Sequence, residues 1–584
     1  MAKKPTHPDE ALEVAQEQLP VANELAVATD ALTQVASQLR DAAAQMTVGL
    51  QTLQQTLEGM ALKVTAGPAA TVAAQINTWE DDPFSQAVAT QDPVDATPIQ
   101  VAMPVNNNPL LQTQINGPSP VPSIYAPGTT EFRYWTAAEA LARGVNFWAQ
   151  WLPAGTRWTI MQAPMRVNLV AGTDLNANYS RQFGLRFYQD TIRGRQFFSG
   201  ESPDVSCHEL GHAILDALRP ELFDAASTEA AAFHESFGDM SAILSALQLD
   251  SLCEKVIRET GGRLNVNSRL SQLAEQLGWA IRQRSPTAVD QDCLRNAANR
   301  FFYQTPDTLP ATAPASQLSS EVHSFSRVFT GAFLDALARM LDVVGPATTN
   351  NLRTVSGHLG QLLVDGVHLA PITAAYYSQV AASMVQADQQ RFGGRYRASL
   401  TSGFVEHGIL APSAGAALRQ AQVPRPVQQQ AMAGTTITPR GPTLLTLGGE
   451  SDGYLRIAHE APQLPIRSLE TGYLRLEVHV PSETPRFSVA SASLGIGPAL
   501  EPTAEPTAEE AAHAFVEDLI QRDRIDFEPA RSVVGAELIT SQARVKKTHT
   551  VVVTEDKKIR LKRMHFSCWC NLCSLGDKGN MKAC

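Results

Sequence analysis

The 584-residue chain reads as an α+β protein on two observations: short strand-like runs cluster in one stretch, and a long train of helix-like runs with apolar faces follows them. After a helical run at 136–151, residues 157–161, 165–170 and 184–188 carry the pattern of strands. Seven runs with helical periodicity come next, at 204–218, 226–248, 268–283, 291–303, 324–342, 350–365 and 372–390. Together they define a main unit at 129–410.

The flanks differ in kind. Residues 1–65 are rich in Ala, Leu, Gln and Glu, and Leu25, Leu32, Leu39, Met46, Leu53 and Met60 recur every seven positions. That stripe predicts a helical, coiled-coil-like segment able to self-associate through 10–64, with an amphipathic helix packing on its own domain as the alternative. Residues 66–128 are rich in proline and asparagine and lack periodicity, the composition of a linker. A Gln/Ala/Pro linker at 411–435 leads to 436–500, where YLRLEVHV (473–480) alternates as in a small β domain. EPTAEPTAEE (501–510) is a further linker. The remainder, 511–584, reads as an α/β segment with a helix near 511–521, a hairpin-like HTVVVTEDKKIRLKRM and a tail holding Cys568, Cys570, Cys573 and Cys584. With His565 nearby, that tail suits a second, structural zinc or a set of exposed thiols.

Bulk properties exclude several function classes. A net charge of −11 and a pI near 5.7, without a basic patch, argue against nucleic acid as a partner. No run reaches the roughly 20 apolar residues a membrane span needs. The N-terminal MAKKPTHPDEALEV has prolines and acids where a Sec signal needs an apolar run of about 7–15 residues. Cys207, Cys253 and Cys293 are scattered rather than arranged as a disulfide framework. The expected location is the cytoplasm, or outside the cell by leaderless export.

Chemistry concentrates at 208–212, which reads HELGH, the H-E-x-x-H pattern. Helix residues four apart lie on one face about 5–6 Å from each other. His208 and His212 can therefore grip one Zn²⁺ while Glu209 faces the open coordination position as general base. Pro203 and Asp204 supply a helix start, and Val205, Leu210, Ile214, Leu215 and Leu218 supply apolar faces. Gly211 costs about 1 kcal/mol against alanine in a helix, a cost that close packing beside a metal would justify. The bland alternative is a pair of histidines that cap or pack a core helix.

A catalytic zinc usually takes three protein ligands and leaves one position to water. A metzincin would place glycine and histidine where this chain has Leu215 and Leu218, so that class is excluded. The next helical run, EAAAFHESFGDMSAILSAL, holds Glu229, His234, Glu235 and Asp239. Glu235 and Asp239 are four apart and share a face, so one carboxylate can bind metal while the other accepts a hydrogen bond from a ligating imidazole. Glu229 competes as the ligand, and a solvated helix face is the bland alternative.

These residues resemble the thermolysin-like zinc metallopeptidases, gluzincins in which the H-E-x-x-H helix is followed by a helix bearing N-E-x-x-S-D. The corresponding run here is HESFGD (234–239). The resemblance implies Glu235 as third ligand and Asp239 as the hydrogen-bond partner of His208. DLNANYS (174–180) is similar to the family's edge strand, which implies that Asn176, Ala177 and Tyr179 bind substrate backbone. CLRNAANRFF (293–302) is similar to its arginine segment, implying Arg295 on the substrate carbonyl. SEVHSFSRVF (320–329) is similar to the segment with the second catalytic histidine, implying His323 as oxyanion donor.

These matches imply a two-lobed core of small sheet lobe and helical lobe, one catalytic Zn²⁺, a peptide or protein substrate, and hydrolysis of internal bonds beside an apolar residue. Three departures stand out. The family's oxyanion-holding tyrosine falls near Phe223, which has no hydroxyl. Asp204 matches a calcium ligand, but the acidic cluster completing that site is not evident after Ala246, so calcium is not expected. The aspartate that orients the second histidine is missing, with Glu321 the nearest substitute. The missing tyrosine motivates a second reading, a catalytically weakened zinc-binding scaffold that binds partners. A third treats 1–128 as an inhibitory prosegment.

Overall fold

The computed structural model describes residues 74–85, 95–412, 414–415, 418, 464–471, 474–482, 507–527 and 546–567. The chain divides into two units, Met1–Ala73 and Ala74–Cys584, and every described residue belongs to the second. The heptad stripe of 10–64, nearly all of the 411–435 linker and the cysteine tail lie outside the described residues.

The second unit mixes helix and sheet. Its first sheet takes β3 (Thr113–Ile115), β4 (Met165–Asn168), β5 (Ala177–Ser180), β6 (Gly184–Phe187) and β16 (Phe566–Ser567) in the order β16-β5-β6-β4-β3. β3, β4 and β6 run parallel, and β5 is antiparallel to both of its neighbours. Two hairpin-like pairs flank it: β1 (Gln75–Thr78) with β2 (Ile99–Ala102), and β7 (Gln189–Ile192) with β8 (Arg195–Phe198). Helix α1 (Thr130–Trp148) packs on α2 (Pro203–Leu218), and α2 packs along α3 (Thr228–Ala246). Around them stand α4 (Asp250–Thr260), α5 (Glu275–Arg282), α6 (Val322–Val344), α7 (Thr349–Leu369), α8 (Tyr376–Phe392) and α9 (Arg397–Glu406), all sharing one apolar core with the sheet.

Local chemistry explains where the site helices begin. The Ser202 hydroxyl accepts from Val205 N at the start of α2, Pro203 fills the first turn where no donor is needed, and Asp204 suits the positive helix end. The Ser227 hydroxyl caps α3 and the Glu321 carboxylate caps α6. Both α2 and α3 are buried on nearly all sides, as expected of helices inside a large core rather than on its surface.

A second, smaller core lies under a five-stranded sheet of β11 (Ile466–Thr471), β12 (Leu474–His479), β15 (Ile559–Arg563), β14 (His549–Val553) and β13 (Ile525–Asp526), in that order. Helix α10 (Ala508–Gln521), opened by a Thr507–Glu510 capping box, covers it with Ala512, Phe515, Val516 and Leu519. This joins what composition assigns to two modules, 436–500 and 511–584. Strand alternation finds the strands, but pairing across an intervening linker carries no local signal.

Other expectations change as well. The 66–128 stretch is more than a linker: it supplies β1, β2 and β3 and buries Trp79 and Phe84. Residues 157–161 form no strand; Trp158 Nε1 and Thr159 Oγ1 instead donate to the carbonyls of Gln112 and Asp216. Residues 291–303 are not helical, because Asp290, Asn296 and Asn299 take the backbone N–H groups of Asn296, Ala298 and Phe301. What forms there is β10 (Arg295–Asn296), paired with β9 (Gln272–Leu273), which shortens the 268–283 helix to α5. No helix among the described residues is long and apolar enough to cross a membrane.

Candidate metal centre

Helices α2 and α3 approach closely because glycines face each other across the contact. A Cβ on Gly211 would lie 2.9 Å from Gly238 Cα and 2.8 Å from Ser241 Cβ, and one on Gly238 would meet the His208 ring at 2.6 Å. The ring of His208 therefore lies flat against the backbone of α3. One nitrogen from each of His208 and His212 and one oxygen from Glu235 lie within 4.8 Å of one another. All three residues are buried.

The donor atoms point at each other without satisfying each other. His208 Nε2, His212 Nε2 and Glu235 Oε2 are buried and make no hydrogen bond; Glu235 Oε2 stands 3.3 Å from the first and 3.7 Å from the second. Unsatisfied buried polar atoms are costly, and three aimed at one point fit a divalent cation with nitrogen and oxygen ligands. Glu209 is fully buried on the same helix between the two histidines.

The other face of each imidazole is anchored. His208 Nδ1 donates to Asp239 Oδ1 at 2.9 Å, and Asp239 is gripped by Arg295 through Nη2 at 2.7 Å and Nε at 3.0 Å. Burial alone would raise the Asp239 carboxyl, but Arg295 and His208 outweigh it and hold it well below the carboxylate range. Burial disfavours a charged His208, yet its hydrogen bond to Asp239 and the nearby Glu235 carboxylate lift it to about 9. His212 goes the other way, pushed well below its ordinary value by burial and by His208 and His234. Its Nδ1 lies 3.2 Å from His234 Nδ1, so the two rings share one proton. His234 is thus a supporting residue that spacing alone did not single out, although it sits in the HESFGD run.

Glu229, the competing ligand, is engaged elsewhere: it accepts from Tyr303 Oη at 2.6 Å and from Tyr377 N at 2.9 Å. His323 comes to the centre, with Nε2 3.3 Å from Glu235 Oε2. Glu321 stands against it, its Oε1 2.6 Å from His323 Nδ1 while Oε2 accepts from the amides of His323 and Ser324. Burial opposes charge on both, yet the pair prevails: Glu321 is held at about 2 and His323 is raised, with Glu235 contributing.

Arg295 sits on Asp239, and its Nη2 also lies 3.4 Å from His208 Nδ1. The 176–179 segment is in place, but β5 is not an open edge. Phe566 and Ser567 of β16 pair with Tyr179 and Asn178, and Ser567 Oγ donates to Asn176 Oδ1. The Ala177 amide bonds to Asn176 Oδ1, and Tyr179 Oη donates to Asp216 at 2.8 Å, away from the cleft. Phe223 is buried edge-on to Tyr179 and Phe566 and offers no donor. Nothing local in the sequence marks β16, because its partner strand is almost 400 positions away.

A second group of acids surrounds Asp204. Ligand atoms of Asp82, Asp204 and Glu275 lie within 4.8 Å of one another, all buried. Both Glu275 carboxylate oxygens lack a hydrogen-bond partner. Burial raises all of these carboxyls, Asp82 to about 6 and neighbouring Asp81 to about 7, and repulsion from Asp81 and Asp82 adds to it at Asp204 and Glu275. Only Glu275 of the cluster lies after Ala246; Asp82 comes from the stretch expected to be linker.

Comparison with protein-family models returns no match, and a search of curated proteins likewise returns none.

Proposed function

We propose that this protein is a zinc-dependent endopeptidase with a two-lobed, thermolysin-like core. The observation that carries the reading is the convergence of three buried, hydrogen-bond-free donor atoms of His208, His212 and Glu235, two of them on an H-E-x-x-H helix. A Zn²⁺ held there would supply Lewis acidity, lowering the pKa of a water molecule from 15.7 toward about 7 and polarising a carbonyl. Glu209 takes the proton of the attacking water and returns it to the leaving nitrogen. His323, held by Glu321, donates from Nε2 to the carbonyl oxygen as charge develops on it, a role whose loss typically costs about 10²–10³ in rate. Asp239 and His234 fix the tautomers of His208 and His212, so that each presents an Nε2 lone pair.

The test is metal content beside cleavage. Wild-type protein is expected to retain about one equivalent of zinc and to cleave casein or a quenched peptide in a chelator-sensitive way. His208→Ala should lose both. A zinc-loaded protein with no activity under any condition would favour the scaffold reading, which the covered β5 edge and the missing hydroxyl at Phe223 support.

The carboxylates of Asp82, Asp204 and Glu275 fit a structural cation with oxygen ligands, of which Ca²⁺ is the natural choice. Millimolar Ca²⁺ is expected to raise the melting temperature of the zinc-loaded protein, and Glu275→Gln to remove most of that rise. An identical calcium response in the variant would rule the cluster out.

A further inference from the structure

The cleft of the candidate centre holds a piece of the chain itself, seated as a bound peptide would be. Phe566 and Ser567 add a strand antiparallel to β5, so backbone pairing is made. The Phe566 ring is buried, stacked on His234 at a centroid distance of 3.9 Å and on His212 at 4.9 Å, with Phe223 edge-on at 5.4 Å. The Ser567 carbonyl oxygen accepts from His323 Nε2 at 2.5 Å, and that nitrogen stands 3.3 Å from Glu235 Oε2. A strand that merely covered β5 would satisfy its edge without seating a carbonyl on the oxyanion donor.

We propose that the protein is its own substrate and hydrolyses the peptide bond that follows Ser567, releasing the cysteine-rich segment 568–584. The inference rests on the peptidase reading and names a substrate for it. Water adds across the Ser567–Cys568 amide: its oxygen bonds to the Ser567 carbonyl carbon, the C–N bond breaks, and Glu209 passes the water proton to the departing nitrogen. The products are a Ser567 carboxylate and a peptide with a free Cys568 amine, and nothing is oxidised or reduced. Because the scissile carbonyl is already on His323, the event is intramolecular.

The experiment follows intact mass after Zn²⁺ is added to full-length protein purified in chelator, with a quenched peptide assayed on the same sample. The expected result is loss of 568–584 at a rate independent of protein concentration, no loss in Glu209→Gln, and at least a tenfold slower loss in Phe566→Asp, which expels the ring from its aromatic pocket. If wild-type chain stays intact or is cut elsewhere while it or Phe566→Asp cleaves the quenched peptide, self-cleavage is overturned and the peptidase reading stands. If neither chain nor peptide is cleaved by any of the three proteins, both fail.

Discussion

Glu209→Gln is expected to lower peptide hydrolysis by about 10²–10⁴-fold while leaving zinc content unchanged. Glutamine keeps the shape of the side chain in its fully buried position but cannot accept the proton of the attacking water. The neighbouring His208 and His212 keep their Nε2 lone pairs, because the groups that orient them, Asp239 and His234, are untouched. The diagnostic measurement pairs turnover with metal content on one preparation. Turnover near wild type would remove Glu209 from the role of base. A parallel loss of zinc would mean that the residue acts on the metal rather than on the water.

What could be read in the sequence was what neighbouring residues decide. The HELGH spacing, the Pro203-Asp204 helix start and the HESFGD run are local patterns, and α2 and α3 form where those patterns put them. His208 and His212 follow from helix spacing, whereas the residues alone leave Glu229 competing with Glu235, which only the family resemblance singles out; Gly211 is legible as a close-packing residue without its neighbour Gly238. Two kinds of feature were not legible. The 291–303 segment has helical periodicity, but asparagine and aspartate side chains compete for its amides and the extended β10 wins, which brings Arg295 to Asp239. Pairings between distant segments, β16 on β5 and Asp82 beside Asp204 and Glu275, have no periodic signature because each partner contributes only one or two residues.

Asp239→Ala is expected to have the largest effect on metal affinity and stability of any substitution that spares the ligands themselves. The carboxylate joins two functions: it accepts from His208 Nδ1, and it pairs with buried Arg295. Removing a carboxylate that orients a metal-binding imidazole typically costs 10–100-fold in affinity, to be read by competition with a zinc chelator. Removing one member of a buried ion pair costs about 3–5 kcal/mol, to be read by denaturant unfolding. The two costs separate in a double variant. Asp239→Asn combined with Arg295→Leu removes both charges and leaves an amide oxygen to accept from His208. Stability should then recover most of its loss, since a buried pair replaced by uncharged groups is often neutral. Metal affinity should recover far less, because an amide is a weaker acceptor than a carboxylate and raises the basicity of His208 less. If affinity returns together with stability, Asp239 serves only to neutralise Arg295, and the orientation of His208 must be set by its packing against Gly238.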